Sequence, residues 1–160
     1  MTLLDLVRHA HAGDPERWTG PDAARPLSDK GRRQADRLGR YLQTLADKPE
    51  IVISSPKVRA LQTAEIVAGL VGIPVTTDPR LGEPLDLEVL DSVLADSGDP
   101  ERPLLVGHDP DFSELLGTLV GAATIPMRKG ALARVEVDRP LASGRGSLRA
   151  LLPPDWLPST

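Results

Sequence analysis

The chain contains no cysteine, so a thiol nucleophile, a thiolate metal site and a disulfide framework are all excluded. Aromatic residues are scarce: two tryptophans, one tyrosine and one phenylalanine make neither a base-stacking surface nor an aromatic sugar platform. Basic residues are scattered rather than gathered into a run, and the net charge is -4, so the electrostatic footprint of a nucleic-acid binder is missing. No basic leader, long apolar segment or small-residue cleavage site is visible ahead of the strand-like run at residues 3–7. The expectation is an unprocessed cytoplasmic protein that does not engage a membrane. What these absences leave is a ligand that is small or locally charged.

The 160 residues, 40% apolar and 26% charged, suffice for one domain spanning 1–160 that buries a core without staples. Short runs rich in Val, Ile and Leu at residues 3–7, 51–53, 74–76 and 104–106 read as buried strands. Between them, Ala35, Leu38, Leu42 and Leu45 recur at helical spacing opposite Arg32, Asp36, Arg37 and Arg40, and Val58, Leu61, Ala64, Ala68 and Val71 form a second apolar face. Ser28 is placed to cap the first helix. Ser55 followed by Pro56 reads as the cap and first position of the second. Shorter helices are expected over 87–95 and 111–120, then strands over 132–137 and 148–152 around the turn-prone stretch 142–146, with an irregular tail from Pro153. Strands alternating with helices imply an α/β fold, a three-layer α/β/α sandwich with a mainly parallel central sheet to which the last strands add an antiparallel member.

Ligands of open α/β sheets sit beyond the carboxyl ends of strands, and three such ends carry related chemistry. The first strand runs into Arg8-His9-Ala10-His11, the second into Ser54-Ser55-Pro56-Lys57-Val58-Arg59, and the run at 104–106 into Gly107-His108-Asp109-Pro110. Arg59 falls in the first turn of its helix, where unpaired N–H groups and the positive dipole end add to the guanidinium charge. Two forked guanidinium donors and an imidazole suit the several oxygens of a phosphoryl group. Singly, each residue has an ordinary explanation as a loop charge or a satisfied core polar group. Their joint placement points to a site.

The order Arg-His-Ala, then Ser-Pro-x-x-Arg-Ala-x-Gln-Thr-Ala from Ser55 to Ala64, then Gly-His, resembles the histidine phosphatase superfamily, whose fold is phosphoglycerate mutase-like. Arg25-Pro26-Leu27-Ser28-x-x-Gly31 and Lys129-Gly130-Ala131-Leu132 fit its short phosphohistidine phosphatase branch of the SixA type. The resemblance implies that His9 is the nucleophile, that Arg8 and Arg59 clamp the phosphoryl group, that His108 is the second imidazole, and that Arg25 faces the same pocket. It implies a phosphorylated substrate, foremost a phosphohistidine protein, and a reaction without metal or cofactor. A small-molecule phosphomonoesterase of the same superfamily is the alternative. A neutral His9 is needed for attack, and neighbouring cations would lower its pKa from about 6.5.

The general acid is less well marked. Glu83, in Leu81-Gly82-Glu83-Pro84, is the candidate, with a solvated loop carboxylate as its bland reading, and Asp86 and Asp109 are weaker alternatives. A carboxylate at Asp109 would oppose a dianion unless it points away, and His11 either flanks the substrate or sits exposed in a loop. Residues 13–24 and 79–86 are expected at the pocket mouth. Two other classes compete: a metallohydrolase with His9, His11 and His108 on zinc, which leaves Arg8 and Arg59 unexplained, and a non-catalytic phospho-ligand module in which His9 only donates. No feature of the sequence specifies an oligomeric state.

Overall fold

The computed structural model describes residues 1–159. Its strands are β1 (Thr2–Arg8), β2 (Ile51–Ser54), β3 (Val75–Thr77), β4 (Pro103–Gly107), β5 (Leu132–Val137) and β6 (Ser147–Leu152). They form one sheet in the order β3-β2-β4-β1-β5-β6. The first four in that order are mutually parallel, whereas β5 runs antiparallel to β1 and β6 antiparallel to β5.

Both faces of the sheet are covered, which is why its strands read as continuous apolar runs rather than as alternations. On one face α1 (Asp29–Gln43) and α2 (Val58–Val71) bring Leu38, Leu42, Ala60, Ala64 and Val67 against Val7, Val52, Leu104 and Val106. On the other, α3 (Leu87–Asp96) and α4 (Asp111–Val120) bring Leu90, Leu94, Phe112, Leu116 and Leu119 against Leu4, Leu6, Ile53 and Leu105. Neighbouring residues of one strand thus serve opposite layers, as the two-residue period requires. The expected three-layer sandwich is present.

Ser28 caps α1 as expected, its hydroxyl accepting from Gly31 N at 3.1 Å. The start of α2 differs from expectation. It begins at Val58 behind Lys57, with no side-chain cap, because Pro56 and Lys57 form a bend and the Ser55 hydroxyl before it is turned toward His108. Arg59 still falls in the first turn. The tail expected to be irregular contains a 3-10 turn, Pro154–Trp156, that tucks Leu157 into the core beside Leu38 and Leu42.

A cavity of about 500 Å³ lies at the amino-terminal edge of the parallel strands, beside Met1, Leu3, Glu101 and Arg134. Its two strand arginines are already paired. Arg134 holds the buried Asp5 carboxylate with two bonds of 2.8 and 2.9 Å and reaches Asp47, and Arg149 pairs with Glu136. The chemistry therefore has to be sought at the opposite edge.

Candidate active site

The loop leaving β1 is held by four segments distant in sequence. His9 N donates to Gly107 O at 3.0 Å, and Gly130 N donates to the carbonyls of Arg8 and His9 at 3.0 and 3.1 Å. Ala10 N donates to Thr63 Oγ1 at 3.1 Å and His11 N to Gln34 Oε1 at 2.9 Å. Gly31 completes the support, since a Cβ there would run into the His11 carbonyl oxygen. Gly107 does the same for β4: a Cβ would stand 2.5 Å from the Phe112 ring that packs beneath it. The motifs at 25–31, 55–64 and 129–130 are thus largely the scaffold of one pocket.

The structure brings His9 and His108 together, with ring centroids 5.2 Å apart. His9 is buried, and its Nδ1 lies 2.8 Å from Ala10 O. A carbonyl oxygen only accepts, so the proton sits on Nδ1 and the Nε2 lone pair is left for a ligand. His108 Nε2 shares a hydrogen bond of 2.8 Å with Ser55 Oγ, which also accepts from Lys57 N.

Burial pushes His9 down to about 4, opposed by the bond to Ala10 and reinforced by Arg59, Arg8 and Lys129. His108 is pushed down to about 3, again first by burial and then by His9, Lys57 and Arg59. The neighbouring cations do lower His9 as expected, but burial is the larger cause. His11 is also lowered, by burial and then by Lys129, Lys30 and Arg25. None of the three histidines should therefore charge at the ordinary value of about 6.5. In the free protein at about pH 6, ring nitrogen NMR shifts of His9 and His108 are expected to be those of neutral imidazoles, with His9 protonating only near pH 4. A His9 or His108 signal titrating near 6.5 would contradict this. The unfolded chain takes up these protons first, so stability falls as pH drops from about 6.5 toward 4.

Arg8 and Arg59 both lie near enough to His9 for their charges to act on its ring. Arg8 donates from Nη1 to Met127 O at 2.9 Å, and that nitrogen lies 3.6 Å from Asp109 Oδ2. Arg59 donates from Nη1 to Asp22 O at 2.9 Å and from Nη2 to Asp22 Oδ2 at 3.0 Å. Among the described residues, the buried side-chain nitrogens or oxygens without a hydrogen-bond partner are Arg8 Nε and Arg59 Nε. Buried polar groups are almost always paired, and two orphaned cationic donors on arginines near a neutral imidazole make a candidate anion site.

The remaining candidates separate. Arg25 is buried and borders a separate depression beside Gly13 and Trp18; Nη1 holds Ala12 O at 3.1 Å and Nε and Nη2 reach Asp22 Oδ1 at 3.4 Å, so its donors go to protein acceptors. Asp109 turns toward α4, accepting from Ser113 N and Oγ, so its charge faces Ser113 and Arg8. Asp86 is occupied as the cap of α3. Glu83 is exposed and lines, with Lys57, His108 and Asp111, a depression of about 290 Å³. His11 does not join the other two rings: Nδ1 accepts from Gly13 N at 3.3 Å and lies 2.6 Å from Ser28 Oγ. The three-imidazole zinc arrangement is not assembled, and among the described residues no three His, Cys, Asp or Glu are grouped to hold a metal ion.

Sequence reasoning missed Asp22, Ser55 and Asp111. Asp22 sits in the turn Asp22–Ala24 and meets Arg59 across 37 positions. Against a burial effect that raises it, bonds to Arg59 and charges of Arg59 and Arg25 hold its carboxyl below the ordinary range. Asp111 is the reverse case: burial, then Glu114 and Asp109, raise its pKa beside His108. The Ser-Pro of the second motif was the available signal for Ser55.

Residues 4–96 match the family model described as the histidine phosphatase superfamily, branch 1. The chain is 39% identical over 90 residues to the transcription factor tau 55 kDa subunit of Saccharomyces cerevisiae, covering 52% of this chain and 21% of that protein. It is 38% identical over 98 residues to the probable phosphoglycerate mutase GpmB of Salmonella paratyphi C, covering 61% of this chain and 44% of that one. It therefore spans less than half the length of either relative. Among solved structures, the protein histidine phosphatase SixA complexed with tungstate superposes with a TM-score of 0.82 at 24% identity, over 96% of this chain and 98% of that one. A phosphohistidine phosphatase SixA structure from Agrobacterium tumefaciens gives 0.77 at 22%, over 94% and 97%.

Proposed function

Because the chain belongs to the histidine phosphatase superfamily, we propose that it is a phosphatase that works through a covalent phosphohistidine on His9, with phosphohistidine in a protein as its substrate. The observation that carries the reading is the pair of orphaned guanidinium nitrogens, Arg8 Nε and Arg59 Nε, on the two arginines whose charges act on a neutral His9. In the first step the Nε2 lone pair attacks phosphorus, the bond to the leaving group breaks, and its electron pair departs with the leaving atom. Arg8, Arg59 and His108 meet the charge on the phosphoryl oxygens. Water then attacks phosphorus, the P–N bond breaks, and its electron pair returns to Nε2.

An imidazole leaves readily because its conjugate acid has a pKa of about 6.5, whereas an alkoxide needs a proton as the bond breaks. Glu83, Asp109 and Asp111 stand beside His108, but Asp109 is held by Ser113 N and Oγ and Glu83 is open to solvent. Such sparse acid machinery favours phosphohistidine. Similarity to GpmB favours the alternative of a small phosphomonoester, and the two readings separate in one assay.

Phosphohistidine peptides, phosphoserine, phosphotyrosine, sugar phosphates and p-nitrophenyl phosphate are to be compared in excess EDTA. The expected order places phosphohistidine and the phenolic ester well above alkyl phosphates, with an acid-labile, alkali-stable phosphoenzyme. A preference for one sugar phosphate would shift the assignment to the small-molecule reading. Loss of activity in EDTA, restored by zinc or magnesium, would overturn the mechanism, and phosphate binding without turnover would leave the non-catalytic module.

A further inference from the structure

Beside the clamp lies a second depression, of about 300 Å³, whose lining includes Arg8, His11, Lys30, Arg128 and Lys129 and a single carboxylate, Asp155. Its composition is unlike the rest of a chain that carries 23 acidic against 19 basic residues. Among the described residues, Lys30, Arg128 and Lys129 have no carboxylate within 4.0 Å, Asp155 included, while most of the arginines elsewhere that reach a carboxylate do so within 3.5 Å. The one carboxylate that approaches any cation here is Asp109, on Arg8. His11 is fixed as a wall by Ser28 and Gly13, which leaves its Nε2 as a donor.

Like charges gathered without partners repel, and the repulsion is visible at Lys129, whose ammonium is lowered by burial and then by Arg8, Arg25, Arg59 and Lys30. A chain with this many spare carboxylates could compensate such a cluster. It does so at Arg134, Arg139 and Arg80. The dianion to be hydrolysed is already met by Arg8, Arg59 and His108, so three further cations exceed what one phosphoryl group requires.

We propose that the depression formed by Arg8, His11, Lys30, Arg128 and Lys129 is a second anion subsite, receiving a carboxylate or phosphate that the substrate carries beside its reacting phosphoryl group. This rests on the phosphatase reading for the position of the first group. Arg8 belongs to both sites, so it sets the two anions side by side. In a protein substrate the second anion is an acidic side chain near the phosphohistidine; in a small substrate it is a second ionised group on the same molecule.

Phosphonates test the subsite without turnover, because their P–C bond is not hydrolysed. Binding of benzylphosphonate and 4-carboxybenzylphosphonate is measured by calorimetry on wild type and on Lys30→Met, Arg128→Met and Lys129→Met. Wild type is expected to prefer the carboxylated ligand by roughly tenfold, the scale of one partly exposed charge-assisted contact, and each variant to bring the ratio toward one. Equal affinity in wild type overturns the subsite whatever the variants do. So does an equal loss for both ligands in the variants, which would show general attraction of anions. Failure of wild type to hydrolyse any phosphate overturns the phosphatase reading and leaves the binding ratio as an independent result. Phosphohistidine peptides with Asp or Asn beside the phosphorylated residue distinguish the source: a kcat/KM preference for Asp assigns the subsite to a protein, and none assigns it to a small molecule.

Discussion

His9→Ala is expected to lower turnover by a factor on the order of 10,000 or more, the scale seen when a nucleophile is deleted and only binding and electrostatic stabilisation remain. Nothing nearby replaces it. His108 is the neighbouring ring, but its Nε2 is engaged with Ser55 Oγ, and His11 is tied to Ser28 and Gly13. The substitution removes no cation, so Arg8, Arg59 and His108 still present an anion site, and inorganic phosphate is expected to bind with affinity near that of wild type. Labelled phosphate from substrate should no longer be trapped on the protein in alkali. Turnover by pure His9→Ala at the wild-type rate would end the assignment, and loss of phosphate binding along with turnover would show that the ring builds the pocket rather than reacts in it.

Arg59→Ala should damage affinity and rate together. Removal of one preorganised donor for developing charge costs about 100- to 1,000-fold in rate. Here a second effect is added. The Arg59 guanidinium holds the Asp22 carboxylate at 3.0 Å, and without it that negative charge is left at the pocket wall with only Arg25, at 3.4 Å, to balance it. The double variant Asp22→Asn/Arg59→Ala is expected to recover part of the affinity for phosphate, because the repelling charge is gone. Steady-state kinetics on both proteins, with phosphate as a competitive inhibitor, checks this. A double variant no better than the single one would mean that Asp22 swings clear of the anion.

Much of this site was readable from residue order because its chemistry sits directly after strands. Arg8-His9 and Gly107-His108 follow β1 and β4, and parallel neighbours in a sheet bring their carboxyl ends together without further information. The late strand at 132–137 and the cap at Ser28 were equally plain. What failed were local rules overridden by distant partners. Ser-Pro is a good helix start, yet the Ser55 hydroxyl is drawn to His108, 53 positions away, and α2 begins later. Pro153 announces an end, but Leu157 finds a gap beside α1. Asp22 had no signal at all, since an aspartate in a polar loop looks the same whether it faces water or a guanidinium. The low pKa of His9 was expected for a lesser cause, because burial depth depends on layers that no local spacing reports.

The ties on the loop after β1 also divide the molecule into parts with different freedom to change over generations. Gln34 and Thr63 are not among the residues that meet the reacting phosphoryl group, but each secures a backbone amide next to His9, so a neutral-looking substitution in the middle of α1 or α2 would be felt at the nucleophile. Selection should guard these two side chains as strictly as the pocket itself. The borders of the two depressions, Glu83 on one side and Lys30 and Arg128 on the other, make no such bond to the loop and stand exposed. A lineage can therefore exchange them for a new substrate while the attacking imidazole keeps its place, and diversity among descendants of this framework should concentrate there.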